Sequence, residues 1–532
     1  MKGVFELRHT WRKTAGIIAV LVTMVASVSG SAAASVQHSK RDTNPYAQPE
    51  TISVAFPGIG QWIKFQSNDA VLQYIYKKFN ITFKPVTESW SNYDQQTNLW
   101  ATSGQLPDIF FSDEVDDPFY FQWIKEGVIQ AIPSNLNQYP YLKKLMDQSD
   151  VQAFKVNGKM YLIPRQLTKQ NVLPSDFGIV VRKDWMKKLH LSQPKTWAQF
   201  VNILTQFVKN NPDHNKNVVG LTSNVEGWLL NDLFTFEFPQ HMWWYKDAIG
   251  KWIPGFTSPR YLTMIEQLHH LYAAGLLDKD WANGNNEPTT KFVEGQAGAM
   301  DQQPKNLNQL EQAWNAVHKK KQFSDYVEFL QMPPGPDGKR HQYVYYNWWS
   351  QSFINSNVDA VKMQRILALY NYLCSPQGRL LTNFGIEGKD YRIYKGKIFD
   401  LHQPGWNLGT AYPSTGMLNS LAVWSQAPRE GISEFHTTQI VPGGWTFQSE
   451  GMLQNYISWY MKNTVPTAIN WEVNAYAQSL PPINVGSGDW IAQAVASNNP
   501  EAVWKQYLQE EYKGGLTKEI QEVNAKYKNA SN

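Results

Sequence analysis

The sequence predicts an α/β protein of two lobes with several crossovers between them and extra helices at its C-terminal end. Three observations predict it. Strand and helix signals alternate over residues 51–112, a second alternating unit opens near residue 177, and the last stretch of about 80 residues is helical by pattern. At 532 residues the chain has room for roughly two to four domains with sizeable cores.

The elements follow in order. "TISVAFPG" (51–58) alternates apolar positions and stops at Pro-Gly, as a strand does. After Asp69, the residues Val71, Leu72, Ile75, Tyr76 and Phe79 recur at helical spacing. "ITFKPV" (81–86) is a second strand and residues 92–102 a helix, closed by Ser103-Gly104 because glycine accepts the left-handed backbone of a helix stop. Ile109-Phe110-Phe111 is an apolar run short enough for an inner parallel strand, and Ser112, Asp113 and Glu114 follow it. Open parallel sheets bind ligands beyond the carboxyl ends of their strands, which puts Asp113 and Glu114 at the lip of a cleft.

In the second unit, residues 179–181 are a strand, and Thr196 and Gln199 form a capping box opening the helix of "PKTWAQFVNILTQFVKNN". "VVGLTS" (218–223) is the next strand; Ser258 then caps a helix that Pro259 opens and Gly275 stops. "EGQAGAMDQQ" (294–303) reads as short strands returning to the first unit. The expected lobes are therefore 51–164 with about 296–345, and 165–295 with about 346–532. In the tail, "PEAVWKQYLQEEY" places Val503, Tyr507 and Leu508 on one helix face.

The start of the chain reads as an export signal. Lys2, Arg8, Arg12 and Lys13 make a basic region, Ala15 to Val28 an apolar one, and Ala32-Ala33-Ala34 a cleavage site, so 1–34 is a signal peptide and 35–50 a flexible leader. The apolar stretch is short for a membrane span. The signal carries a net +3 of the chain's +4, so what remains offers no charge for nucleic acid or an anionic membrane. The sole cysteine, Cys374, excludes an intrachain disulfide and a Cys-rich metal site.

Tryptophan is unusually abundant, with 22 residues. An indole offers a flat apolar face with an N–H at its edge, which suits both cores and half-wet sugar grooves. Catalytic patterns are absent: there is no HExxH, GxSxG, Walker loop or GxGxxG after a strand. A glycosidase needs two carboxylates facing one bond, whereas the adjacent Asp113 and Glu114 on an extended strand point to opposite faces. The enzymatic alternative would need a partner such as Asp184, Glu226 or Glu237.

Five stretches in order carry a family resemblance: "SGQLPDIFFSD", "GKMYLIPRQ", "VVRKDWMKKLHLSQPKTWAQF", "GKWIPGFTSPRYLTMIEQLHHLYAAGLLDKDW" and "FVEGQAGAM". They resemble the extracellular solute-binding proteins of bacterial ABC importers, in particular the large oligosaccharide-type branch. The resemblance implies a two-lobed periplasmic-binding-protein-like fold that closes on an oligosaccharide and performs no chemistry. It also implies permease subunits as partners and a periplasmic or extracellular location, and a monomer is expected. The alternatives are a secreted glycoside hydrolase, a receptor for a non-sugar ligand, or a sensor or chaperone role. Members from single-membrane bacteria usually carry an acylated cysteine after the signal; "VSGSAAASVQ" has none, so no lipid anchor is expected.

On this reading the ligand-binding candidates are aromatics at loop positions with polar groups at the rim. Trp62 follows the first strand, Trp90 and Tyr93 the second, Trp228 follows "GLTSN", and Trp243 and Trp244 lie in "FPQHMWWYKD". "YVYYNWWSQS" brings Tyr345, Tyr346, Trp348 and Trp349 to a hinge crossing, with one of the two indoles facing inward. Arg165, Gln166 and Gln302 follow strand signals as rim residues, beside Asp113 and Glu114. In "NPDHNKNVVG", Asn211, Asp213, Asn215 and Asn217 keep oxygens at alternate positions, like the calcium loop of the family. Lys216 replaces the loop glycine and the later acid is missing, so no cofactor is expected and calcium here is the weaker reading. N-terminal sequencing of the exported protein is expected to begin near Ser35; an intact Met1 or Lys2 in a membrane fraction would overturn the cleavage.

Overall fold

Alternating burial along residues 50–57 starts the first sheet: Ile52, Val54 and Phe56 are buried, and the strand pairs in parallel with residues 81–88 over its whole length. The computed structural model describes residues 46–62, 68–112, 119–166, 172, 177–223, 226–319, 321–394, 397–402, 406–422, 448–480 and 490–531. The signal peptide and most of the leader lie outside them. In chain order the strands are β1 (Glu50–Pro57), β2 (Ile81–Glu88), β3 (Ile109–Ser112), β4 (Ile163–Gln166), β5 (Ile179–Arg182), β6 (Val219–Thr222), β7 (Trp244–Lys246), β8 (Trp252–Pro254), β9 (Ala297–Asp301), β10 (Val327–Phe329), β11 (Trp348–Ile354), β12 (Tyr391–Tyr394) and β13 (Lys397–Asp400).

Two sheets organise the two lobes. The first has the order β2-β1-β3-β11-β4 and the second β10-β5-β9-β6, while β7-β8 and β12-β13 are separate hairpins. The fold is thus the mixed α/β, two-lobed arrangement the sequence predicts. Two assignments differ. β9 lies between β5 and β6 instead of returning to the first sheet, and β11 enters the first sheet between β3 and β4, carrying Arg165 and Gln166 of β4 with it. Packing decides both. Ala297, Gly298 and Ala299 are small enough for a strand covered on both faces, and a β-carbon at Gly298 would collide with the ring of Phe207. Phe353 of β11 fills the space among Phe110 (5.5 Å), Trp123 (5.4 Å) and Tyr120 (5.7 Å) of the first lobe.

Helix ends follow the capping signals. Thr196 accepts from the Gln199 N–H to open the helix Trp197–Asn210, and Ser258 opens Pro259–Ala273. Asp69 serves two helices at once. One carboxylate oxygen accepts from Leu72 N–H (2.9 Å) at the start of Ala70–Phe79, and the other from Ser414 N–H (2.8 Å) at the start of Ser414–Leu421. Buried Arg365, on the helix Ala360–Cys374, donates to the carbonyls of Phe79, Asn80 and Gln48 and ties that helix to the sheet edge.

Strand directions place the functional edges. β4 and β3 both run antiparallel to β11, so the carboxyl ends of β1 to β4 and the amino end of β11 share one edge of the first sheet. In the second sheet the carboxyl ends of β6, β9 and β10 share an edge with the amino end of β5. The chain passes from one edge to the other between β4 and β5 and again between β10 and β11. Among the described residues no helix is long and apolar enough to cross a membrane.

Replacing Asp69 with alanine strands two buried N–H groups of two helices. The expected loss is about 3 kcal/mol, since hydrogen bonds to charged acceptors contribute roughly 1.5–3 kcal/mol each and partly overlap here. Urea unfolding followed by tryptophan fluorescence measures it.

Candidate binding site

Aromatic rings join the two sheet edges. At the first, Trp90 stacks against Trp349 (6.1 Å between centroids, 29°) and meets Phe111 edge-on (5.6 Å, 90°). Tyr93 lies 5.9 Å from Trp90 and 5.8 Å from Phe111, and the Arg165 guanidinium sits 5.7 Å over the Trp349 ring. Trp349 also packs, with Phe177 and Tyr345, against buried Tyr343. Phe177 belongs to the β4–β5 crossover and Tyr343 to the β10–β11 crossover; their rings are 4.1 Å apart. Tyr343 stacks on Tyr345 (6.2 Å, 7°), Tyr345 is 5.5 Å from Trp243, and Trp243 meets Tyr346 and Trp471 at right angles. The result is one belt of rings running from the first sheet through both crossovers into the second lobe.

Parts of this belt are open to solvent. Trp90 is 54% exposed, while Tyr93, Trp349, Tyr345 and Phe177 are half-buried. A half-buried indole or phenol presents an apolar face to a flat ligand and keeps its polar tip near water. The crossover beneath is fixed: fully buried Asp150 accepts from the Asn347 N–H at 2.5 Å, and Tyr343 N–H donates to Tyr460 Oη at 2.6 Å.

The candidate residues divide between the exposed edge and the core. Trp90, Tyr93, Arg165 and Trp349 come together at the first edge. Trp348 does not: it is buried, 5.7 Å from Phe154 and 5.3 Å from Tyr346, because neighbours on a strand point oppositely. It is a core residue. Trp243 and Tyr346 are in the belt but buried, and the Trp243 indole donates to Val344 O at 3.1 Å. Trp244 leaves the site altogether. It lies in the β7–β8 hairpin against Val473, Leu516 and Ile520 of the C-terminal helices, because Asn474 Oδ1 accepts its backbone N–H at 2.9 Å.

The rim residues are equally particular. Buried Arg165 donates from Nε to Asn419 O (2.9 Å), and burial pushes its pKa down to about 9. Gln166 is buried and accepts from Arg379, so it braces the first lobe. Gln302 is half-buried at the second edge, where its N–H donates to Gly178 O (2.8 Å) and its amide to Gln303 O (2.9 Å). Asp113, Glu114 and the side chains of Trp62 and Trp228 lie outside the described residues. Tyr345, placed with the hinge aromatics by its sequence position, is in the belt, and Phe177, Tyr343, Trp471 and Asp301 join the site without having been candidates. The tyrosines' i, i+2 spacing and the acid ending "AGAMD" were the available signals.

In the loop 211–217 the side-chain oxygens and amides are engaged by protein groups. Asp213 accepts from Arg182 Nη2 at 2.7 Å, with Lys188 Nζ at 3.4 Å. Arg182, 1% exposed, also binds Asp184 through Nε (2.8 Å) and Nη2 (2.7 Å), and faces the rings of Trp185 and Trp314. Asn211 Oδ1 accepts from Asn215 N–H (3.0 Å), and Asn215 gives its amide to the carbonyls of Glu294 and Gly295 (both 2.9 Å). Asn217 makes a left-handed turn at φ 56°. The one carboxylate thus faces a guanidinium where a metal would stand. Among the described residues no group of three or more His, Cys, Asp or Glu side chains could hold a metal ion.

Comparison with known proteins agrees with this architecture. The family described as bacterial extracellular solute-binding protein matches residues 64–378, well over half of the chain, and the chain belongs to it. Lipoprotein LipO of Bacillus subtilis (strain 168) is 24% identical over 387 residues, covering 70% of this chain and 73% of its own. The alginate-binding protein AlgQ2, in a crystal structure without calcium ion, superposes with a TM-score of 0.66 at 19% identity over 91% of this chain and 99% of its own. The Streptococcus pneumoniae substrate-binding protein FusA in complex with kestose gives 0.61 at 18% identity over 90% and 99%.

Burial pushes the Asp213 carboxyl up, but Arg182 and Lys188 together outweigh it and hold it below its ordinary value. A depressed carboxyl contributes stability above its unfolded pKa and loses it as pH falls through the folded one. Asp213→Asn is therefore expected to cost about 1–2 kcal/mol near neutral pH, discounted for a side chain 27% exposed. The difference from the unmodified protein should vanish below the carboxylate range, as measured by urea unfolding from pH 7 down to pH 3.

Proposed function

We propose that this chain is an exported receptor that binds an oligosaccharide between its lobes and delivers it to an ABC importer. The observation that carries the reading is the half-exposed belt of Trp90, Tyr93, Trp349, Tyr345 and Phe177 across both crossovers, where facing sheet edges meet. Pyranose and furanose rings offer C–H faces for such rings, and the polar groups around them read hydroxyls. FusA, similar in fold, is named for fructooligosaccharides, and AlgQ2 for alginate. A ligand that touches both lobes only when they approach favours the closed form by that differential contact.

The receptor acts without chemistry of its own, as a single copy, without a metal and with no nucleic-acid partner. The internal cation Arg182 supports the metal-free reading, and the net charge near neutrality after signal removal supports the last. We also assign it no acyl anchor. Cys374 is buried in the helix Ala360–Cys374, with its thiol pushed up to about 12 by burial, and is no acceptor for lipid.

Isothermal titration against plant and microbial oligosaccharides tests the reading. Binding without cleavage is expected, with the sugar recovered unchanged after prolonged incubation. Trp90→Ala should weaken binding by about 1–2 kcal/mol, roughly fivefold to thirtyfold, while stability moves by less than about 1 kcal/mol. Binding of a peptide and of no sugar would overturn it.

A further inference from the structure

Two acidic residues end strands at the sheet edges that the belt joins, one in each lobe, and the mechanism above does not use them. Glu88 ends β2, two residues before Trp90, whose ring covers Trp349. Asp301 ends β9 opposite Ile179, and the next residue bonds to Gly178 beside Phe177. They therefore stand at the carboxyl ends of strands on the two edges that the crossovers join.

Both are short of hydrogen-bond donors. Asp301 is 8% exposed, and its Oδ1 is buried with no partner; both carboxyl oxygens of Glu88 are in the same condition. Burial pushes Asp301 up to about 7, with Ser223 and its own backbone N–H opposing. Burial pushes Glu88 up to about 8, and Asp94 adds to it. Buried polar oxygens left without partners are costly, and what would satisfy these is a donor such as a hydroxyl.

We propose that Asp301 and Glu88 set the class of sugar the cleft accepts: an uncharged oligosaccharide whose hydroxyls donate to them, in preference to a uronate chain. A uronate carboxylate brought beside either residue offers no donor, and in a poorly solvated site the pair keeps both charges only against strong repulsion or else takes up a proton, a cost at pH 8 that a neutral ring does not carry. A neutral ring supplies donors to both sides and stacks on the belt between them. This proposal rests on the receptor reading above and narrows it.

The test titrates the mature protein at pH 8 with two matched series, trimers to pentamers. One is of neutral hexoses and pentoses, the other of galacturonic, mannuronic or guluronic acid. Neutral members should include the tightest ligand, with every uronate of the same length at least tenfold weaker. Asp301→Asn and Glu88→Gln should each weaken the neutral ligand several-fold, and the double variant should narrow the neutral-over-uronate ratio at least fivefold. If one variant fails to fold, as judged by its thermal melt, the other carries the same comparison. A uronate bound as tightly as the best neutral sugar, or a ratio unchanged in the variants, overturns the proposal and leaves the receptor reading standing. Binding by neither series, with a peptide bound instead, overturns both.

Discussion

The register of β11 between β3 and β4 is the constraint on which the rest of the site depends. Gln351 opposes Ser112 and Pro164, and Phe353 opposes Phe110. This pairing decides which of two adjacent indoles faces inward. With Phe353 held among Phe110, Trp123 and Tyr120, plain alternation would bring Trp349 to the Phe353 face; the break in register between Trp348 and Ser350 shifts the phase, so Trp348 packs into the core and Trp349 comes to Trp90 and Phe111. A slip of one residue would exchange every side chain between the faces of the sheet, removing the exposed stack and burying a second indole where Trp348 fits. The strand's position also obliges the preceding residues to cross from the other lobe, which is why Tyr343 and Tyr345 stand at the junction.

The second lobe is organised around a buried cation instead of a strand. Arg182, at the end of β5, holds Asp184 and Asp213 while its guanidinium faces Trp185 and Trp314. A buried guanidinium is tolerated only when its donors are used and its charge is compensated, and here two carboxylates and two aromatic faces meet both needs. Gly295 belongs to the same arrangement. Its φ is +78°, and a β-carbon there would meet Asn215 Nδ2 and Asp213 Oδ2 at 2.8 Å and Arg182 Nη1 at 3.2 Å. The loop is thus packed against protein groups, and its stability follows the ionisation of Asp213.

Much of the fold was legible because local signals and tertiary packing agree. The helix Ala70–Phe79 shows its buried face in Val71, Leu72, Ile75 and Phe79, and Thr196 and Ser258 cap where their side chains predict. The membership of β9 and β11 was not legible. A short strand buried on both faces carries no alternation, so nothing local says which sheet will accept it. Adjacent tryptophans defeat composition for a related reason. Trp348 and Trp349, like Trp243 and Trp244, have the same intrinsic preference, and register or a single hydrogen bond such as that from Trp244 to Asn474 sends them apart. Asp301 escaped notice because a lone acid at a strand end is ordinary until its burial and missing partner are seen.

The belt also bears on how two lobes can move and still present one surface. Phe177 and Tyr343 lie 4.1 Å apart on different crossovers, and Trp349 and Tyr345 pack against the same tyrosine. Twisting one crossover therefore displaces rings on the other, so the two connections bend as a pair about the belt. Hinge closure uses a few connecting residues, and these two crossovers are the connections between the sheets whose rings are in contact. A ligand stacked on the crossover rings keeps those apolar contacts whether or not the sheet edges approach it. Stacking then supplies affinity in both forms. The differential contact that favours closure has to come from the polar groups at the edges.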